Sequence, residues 1–584
     1  MARMTISRAI SWLAAQHPDT IAVRGDDSAL TWRELDLRTN RLARAYAELG
    51  VGVDSFVSIA LPNSVEFVES SVAVWKLGAT PQPLSYRLPP ADRAAVLALA
   101  QPALVVGVDA APNAVPVPVP MPVPQLAAGF APRASLSDAP LPDAAAASWK
   151  APTSSGSTGR PKLILAAASA HVDPEGRVAS FVPARAVQLV SGPLFHSAPF
   201  TYAMRGLMTG HTLVILPRFD ERRVLDAIGR HRITWAPLVP TMMNRLWRLP
   251  QAVKDAADLG SLESILHLGS ACPPWLKRAF IDWIGPERVV EVYAGTESNG
   301  ITTLSGGEWL EHPGSVGRPV GGSEMQIWGA DDRPLPVGET GRIMMRRSGG
   351  ATYSYRSGAV GTHPESQPRP QPQPYPDGWD TLGDLGHLDA DGYLYVADRA
   401  DDLIITGGVN VYPAEVEGVL EEHPAIRSAV VFGLPDDDLG EVVVALVDVG
   451  DASAGTAVVG GAAEDAGVVG GAVVGSAVVG GAVVDAGVVG GAAKDGAAVG
   501  GGVVGGGAKP LFGAETGGAS AGLTAAGAAE PLTESALLAW LQPRLDPEKR
   551  PRRIEFTTEP VRDDAGKVRR HRLRAERGTP PSHS

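Results

Sequence analysis

Cysteine is almost missing from the 584 residues, with Cys272 the single one. One cysteine excludes a disulfide framework within the chain and suits a reducing compartment, so a soluble protein in a cytoplasmic location is expected. Aromatic side chains are sparse, at 6%. Positive charge is in deficit: 51 lysines and arginines face 64 acids, a formal net charge of −13. A general nucleic-acid binder would need the reverse. Long hydrophobic runs are scarce too. Arg8 interrupts the only apolar candidate at the N-terminus, so no secretory signal is expected. One uncharged stretch of 19 residues, 466–484, approaches the length of a spanning helix. It is built mainly of valine, alanine and six glycines, and Asp465 and Asp485 flank it. Glycine and valine are poor helix formers and no Lys/Arg cluster sets an orientation, so no membrane span is expected.

What is abundant is local. Of 67 glycines, 24 lie between Gly455 and Gly527. There Val-Val-Gly-Gly recurs at 458, 468, 478 and 488, a period of ten with no large side chain to build a core. Residues 451–530 therefore read as an inserted low-complexity segment. Two Pro-rich stretches, 112–124 and 364–376, read as connectors. Elsewhere apolar runs alternate with helical spacing. Helices are expected over 9–15, 32–49, 65–77 and 224–230, and strands over 56–61, 186–190, 212–216, 234–238 and 264–268. That alternation predicts an α/β architecture with largely parallel sheets over a large N-terminal domain, 1–400. Beyond it, strands at 403–406, 428–433, 442–449 and 553–557 with helices at 413–422 and 533–545 predict a small α+β C-terminal domain, 401–578, interrupted by the 451–530 insertion.

The strongest chemical signal is Thr153-Ser-Ser-Gly-Ser-Thr-Gly-Arg-Pro-Lys162. Glycines let backbone N–H groups converge on an anion, hydroxyls add donors, and lysine supplies compensating charge. The Gly-Lys-Ser/Thr ending of a Walker loop is absent. This segment resembles the phosphate-binding signature of the adenylate-forming (AMP-binding) superfamily, which includes acyl-CoA synthetases, aryl-CoA ligases, luciferases and peptide-synthetase adenylation domains. The family's other motifs follow in order: Val292-Tyr-Ala-Gly-Thr-Glu297, Asp380-Thr-Leu-Gly-Asp384, Asp398-Arg399-Ala-Asp401, Gly407-Gly-Val-Asn-Val-Tyr-Pro-Ala-Glu-Val-Glu417 and Gly566-Lys567. The resemblance covers the chain outside 451–530.

It implies an enzyme that joins a carboxylic acid to the α-phosphorus of ATP, releases pyrophosphate, and transfers the acyl group to coenzyme A, with Mg²⁺ as cofactor. It further implies that Thr153, Ser154, Gly156, Ser157, Thr158, Gly159 and Lys162 cradle the phosphates. Thr296 would touch the α-phosphate, and Glu297 would hold Mg²⁺, a hard cation that prefers carboxylate oxygen. Asp384 would accept the ribose hydroxyls with Arg399 beside it, while Gly269, Ser270, Ala271 and Tyr293 would form the adenine slot. Lys567 would be the catalytic lysine. Asp401 would be the hinge about which a mobile small domain rotates to bring Gly407 and Gly408 to the acceptor thiol.

Gly192-Pro-Leu-Phe-His-Ser-Ala-Pro-Phe200 and Val239-Pro-Thr-Met-Met243 resemble bacterial bile-acid and fatty-acid-type CoA ligases. On that likeness His196 is a gate or pocket residue, and Phe200, Trp235, Val239 and Thr241 line an apolar, aromatic acyl pocket. A carrier-protein thiol or an amine as acceptor stays open, as does a diazotase-like relative that activates nitrite. Ala294 replaces the first glycine of the family's Tyr-Gly-x-Thr-Glu, and Glu548-Lys-Arg-Pro551 stands where relatives show Tyr-Lys-x-Pro. The basic run 544–577 holds 12 basic and 7 acidic residues and reads as a solvated surface, not a nucleic-acid site.

Overall fold

The computed structural model describes residues 3–107, 123–154, 161–356, 375–436, 438–450, 532–563, 566–568 and 570–577. The repeat segment, the uncharged stretch 466–484 and most of both Pro-rich connectors lie outside the described residues. Among the described residues no helix is long and apolar enough to cross a membrane.

A nine-stranded sheet forms the backbone of the chain's first 320 residues. Its six central strands run parallel, in the order Val289–Ala294, Ser264–Leu268, Trp235–Leu238, Val187–Val190, Thr212–Ile215 and Ile21–Arg24. Antiparallel strands close both edges. Phe56–Ile59 centres a second, four-stranded parallel sheet with Thr80–Pro83, Leu104–Val106 and Gln125–Leu126. Helices connect these strands, as the alternating sequence requires. The helix Trp32–Glu48 opens on a capping box, in which Thr31 Oγ1 accepts from the Glu34 N–H and the Glu34 carboxylate accepts from the Thr31 N–H. Ser64 caps Val65–Lys76 in the simpler way. Phe67, Trp75 and Phe200 pack between the two sheets.

The expectation of largely parallel pairing ends there. Ser323–Trp328, Gly341–Arg347, Asp384–Leu388 and Leu394–Arg399 form an antiparallel sheet. Residues 389–393 are too few for the helical crossover that parallel pairing needs, and 329–340 contain no helix, so both outer pairs are hairpins. Thr153–Ser154, Lys162–Ala166 and Tyr353–Arg356 make a small antiparallel sheet of their own.

The C-terminal part is α+β. Ser428–Asp436 and Gly440–Asp448 form a long antiparallel hairpin, joined by Ile404–Thr406 and Val409–Val411 on one side and by the parallel strand Arg553–Thr557. The helices Pro413–Glu421 and Glu534–Leu541 cover one face. Most of the basic run is paired rather than free. Arg562 and Arg570 both bind Glu417, Arg570 also binds Asp402, and Arg577 binds Glu555. Burial raises the Glu417 pKa, but Arg562 and Arg570 outweigh it and hold the carboxyl below its ordinary value.

Removing one partner of a buried ion cluster typically costs about 3–5 kcal/mol. Glu417→Gln should therefore lower unfolding free energy on that order in urea titrations. Because the folded-state pKa of Glu417 is depressed, its contribution is complete above the unfolded carboxylate value. It is lost as pH falls through the folded value. The wild-type protein should lose stability on acidification in that window more steeply than Glu417→Gln.

Candidate active site

The phosphate-loop motif sits on a hairpin. Thr153–Ser154 pairs antiparallel with Lys162–Ala166, so that Ser154 lies opposite Lys162 across the strands. Gly156, Ser157, Thr158 and Gly159 fall outside the described residues. Thr153 Oγ1 accepts a hydrogen bond from Gln82 Nε2 at 3.0 Å. Lys162 Nζ lies 5.2 Å from the centroid of the Tyr355 ring, on the neighbouring strand. Tyr355 Oη in turn donates to Glu297 Oε1 at 2.9 Å. Burial and the Glu297 charge both raise the Tyr355 pKa, so the phenol remains a donor. One tyrosine thus joins the loop lysine to the acid of the second motif.

Tyr293 is near the end of the central strand Val289–Ala294, and its Oη donates to Asp384 Oδ2 at 2.6 Å. Arg399 Nε stands 3.5 Å from the other oxygen, Oδ1, because Asp384 and Arg399 are partners across adjacent antiparallel strands. An ionised carboxylate has about four acceptor sites, so Asp384 keeps capacity for a pair of hydroxyls. Gly269, at φ +92°, turns the chain so that Ser270 and Ala271 line the cleft opposite. Gly295 allows a close approach. A Cβ there would meet Leu382 Cδ2 at 2.4 Å and Glu297 Oε2 at 3.1 Å.

The C-terminal segment closes on this wall. A Cβ on Gly566 would lie 3.0 Å from Thr241 Oγ1 and 3.5 Å from Ser270 Oγ. The Gly566 turn therefore rests on the same wall, and Lys567 reaches into a cleft of about 2450 Å³. Thr296, Glu297, Tyr293, Asp384, Arg399, Asp401, His196 and Val239 line it as well. Burial lowers the Lys567 pKa and Arg399 adds to that, while Asp563 and Glu297 pull it back up. Asp563 also fixes the turn, accepting the Lys567 N–H at 2.8 Å.

Several sequence expectations land elsewhere. Phe200 and Trp235 are fully buried and do not line the cleft. Phe200 packs on Phe67, Trp75 and Trp149, and Trp235 lies under Tyr202. Thr241 faces Gly566 rather than the pocket. Gly407 and Gly408, at φ +57° and +83°, form the exposed turn between Thr406 and Val409, away from the cleft lining. The pocket is also less apolar than expected, because Lys150, Thr201, Tyr202 and Arg205 line it. Tyr355 and Lys150 are the residues that sequence reasoning passed over. The alternating Tyr353 and Tyr355 of a short strand, and a lysine three residues before Thr153, were the available signals.

Gly295→Ala tests the crowding at Glu297. The added methyl should push the Leu382 side chain and the Glu297 carboxylate aside. Mg²⁺-dependent ATP affinity should fall about tenfold or more by calorimetry, with little change in melting temperature; a tenfold loss corresponds to about 1.4 kcal/mol.

Residues 10–355 match the family model described as AMP-binding enzyme, and residues 415–466 that described as AMP-binding enzyme C-terminal domain. A feruloyl-CoA synthase from an Amycolatopsis species is 31% identical over 448 residues, 75% of this chain and 88% of that protein. A long-chain-fatty-acid–CoA ligase of Mycobacterium tuberculosis is 29% identical over 435 residues, 72% of this chain and 83% of that protein. Among solved structures, o-succinylbenzoate CoA synthetase from Bacillus subtilis, in complex with its acyl-adenylate intermediate, has a TM-score of 0.70 at 23% identity. It covers 98% of both chains, and the likeness is one of fold.

Proposed function

The chain belongs to the AMP-binding enzyme family, in its acyl-CoA ligase branch, and we propose that it is an AMP-forming acid–CoA ligase. It activates a hydrophobic or aryl carboxylic acid with ATP, releases pyrophosphate, and passes the acyl group to coenzyme A. One observation carries this reading. A single cleft gathers Lys162 with Tyr355 and Glu297, Tyr293 with Asp384 and Arg399, and Lys567 from the C-terminal segment. Its single cysteine suits a cytoplasmic enzyme.

Each group has a task that its surroundings permit. Lys162 and the loop before it hold the β- and γ-phosphates. Glu297 keeps one carboxylate oxygen outside the Tyr355 hydrogen bond and fits a Mg²⁺ site. The described residues hold no cluster of three metal-ligating side chains, which agrees with an ion shared with substrate phosphates rather than caged by protein. When bound, Mg²⁺ neutralises phosphate charge. Asp384 accepts the ribose hydroxyls, held in place by Tyr293 and Arg399. Thr296 contacts the α-phosphate. Lys567 lies where negative charge grows as the carboxylate attacks phosphorus, so it stabilises the transition state more than the ground state. His196, at the start of the helix Ser197–Met208, borders the acid's entry. After adenylation the small domain turns about Asp401, withdrawing Lys567 and bringing Gly407 and Gly408 to the thiol.

The test is AMP release by purified protein with ATP and Mg²⁺ across fatty, aryl and steroid acids, with and without coenzyme A. AMP together with acyl-CoA, dependent on both acid and coenzyme A, is expected. AMP that ignores coenzyme A would replace the acceptor with an amine or a carrier thiol, and no AMP from any acid would overturn the ligase reading. Lys567→Ala should slow adenylation by about 10²–10³-fold while ATP still binds. Lys567 works as a cation and its pKa is lowered, so the alkaline limb of adenylation should lie below the ordinary lysine range. Lys567→Arg, whose cation does not titrate, should remove that limb from the pH profile.

A further inference from the structure

Along the helix Ser197–Met208 the cleft carries a cationic corner to which the proposed adenylation roles assign no task. Lys150 is buried, at 6% exposure, yet its ammonium has no carboxylate partner among the described residues. Nζ donates to Thr201 Oγ1 at 2.6 Å and to Ser197 Oγ at 3.3 Å, both hydroxyls of the helix Ser197–Met208. Of the three other buried lysines, Lys76 holds Asp36 at 2.7 Å and Lys277 holds Glu291, while Lys254 donates to the Trp247 carbonyl and lies over the Trp247 ring, away from the cleft lining. Four residues past Thr201, on the same helix face, Arg205 turns its guanidinium to the cleft without an ion pair among the described residues. Lys150 Nζ and Arg205 Cζ both lie against the Trp149 indole, 5.3 and 5.2 Å from its ring.

The surrounding charge deepens the imbalance. Burial, then Arg205, push the Lys150 ammonium down to about 7, and Glu297 alone opposes them. Arg205 is lowered by burial and by the charges of Arg347 and Arg3, both also on the cleft wall, against the phenol of Tyr202. A buried cation such as Lys150 without a counter-ion is costly, and proteins normally pair it, whereas Arg205 is exposed to the cleft. Arg205 is nine residues beyond His196, or ~13 Å along a helix rising 1.5 Å per residue. Arg205 thus stands well along the helix from His196, while Lys150, bonded to Ser197 and Thr201, lies beside its first turn.

We propose that Lys150 and Arg205 form a subsite for a second anionic group, so that the acid activated here carries a distal carboxylate or sulfonate on its hydrophobic or aryl body. The proposal rests on the ligase reading and narrows its substrate class. Ser197 and Thr201 hold Lys150 in place, and the planar guanidinium of Arg205 offers the bidentate fork that a carboxylate or sulfonate accepts. The counter-ion arrives with the substrate.

The experiment compares AMP formation from acids of one carbon skeleton ending in methyl, carboxylate or sulfonate. The readout is the ratio of kcat/KM for an anionic-tailed acid to that for its methyl-tailed twin. This ratio is internal to each preparation, so partial misfolding of a variant cancels. The wild-type ratio should exceed ten, and the anionic tail that gives the larger ratio identifies the source of the charge. Lys150→Met and Arg205→Gln should each lower the ratio at least tenfold, and Lys150→Arg should keep most of it. A wild-type ratio at or below one, or variants with the wild-type ratio, would overturn the subsite while leaving the ligase intact. Variants that raise the KM for ATP and leave the ratio alone would overturn it too, by assigning the pair to nucleotide phosphates. No AMP from any acid would instead overturn the ligase reading on which the subsite rests.

Discussion

The buried carboxylate of Glu417 is what the placement of Lys567 depends on. Among its described residues the segment 561–577 contributes no strand to any sheet, so side chains carry its placement. Glu417 binds Arg562 at 2.6 Å and Arg570 at 2.7 Å, one on each side of the Gly566-Lys567 turn, and also accepts the Val431 N–H of the long hairpin. Arg562 and Arg570 pass the constraint on to the carbonyls of Ala429 and Val431. Both ends of the lysine turn are thereby anchored to one sheet. The loss of any member of this cluster would leave charge stranded in the interior, so geometry at Lys567 and stability of the small sheet are tied together.

The same sheet reaches the rest of the chain through few contacts. Arg248 donates to the carbonyls of Pro424 and Glu421, and Asn244 donates to that of Arg427. Asp398, two residues before Ala400, accepts the Ala414 N–H. Bonds of this sort, to backbone carbonyls at a rim, are individually worth about 1 kcal/mol. They hold Lys567 over the nucleotide wall without locking it there. An interface of that kind suits the domain rotation proposed above, whereas a continuous apolar seam would not.

The residues that the cleft gathers could be named from the sequence because they cluster in short segments whose local geometry is fixed by turns. Tyr293 with Glu297, Asp384, Arg399 and Lys567 could each be named from a motif of fewer than a dozen residues, and the fold brings all of them to one cleft. Four helices and five strands of the first 320 residues were also readable from their periodicity, whereas the helices Pro90–Ala100, Ser197–Met208 and Pro274–Ile284 and the strands Ile21–Arg24 and Val289–Ala294 were not expected. The acid pocket was not. Phe200 and Tyr202 lie two apart on one helix, about 200° around an axis of 3.6 residues per turn, so one faces the core and the other the cleft. Composition near a motif cannot tell which. Trp235 fails for a related reason: a central parallel strand is buried on both faces, and its large side chain packs away from the ligand. Tyr355 was hidden by distance, reaching Glu297 from a strand nearly 60 residues later.

The cationic corner changes what the pocket can discriminate. An apolar slot separates acids only weakly, because adding or removing a methylene is worth about 1–3 kcal/mol. A site that presents buried charge selects far more sharply, since the wrong acid leaves the charge uncompensated. Lys150 is suited to that role by its hydroxyl partners. A carboxylate at Ser197 or Thr201 would neutralise the ammonium and remove its claim on a substrate anion. The hydroxyls orient it and leave the charge unspent. The direction of the fold supports this division of labour. The helix Ser197–Met208, whose N-cap is His196, presents Ser197 and Thr201 to Lys150 and carries Arg205 in its last turn, so one element holds both cations.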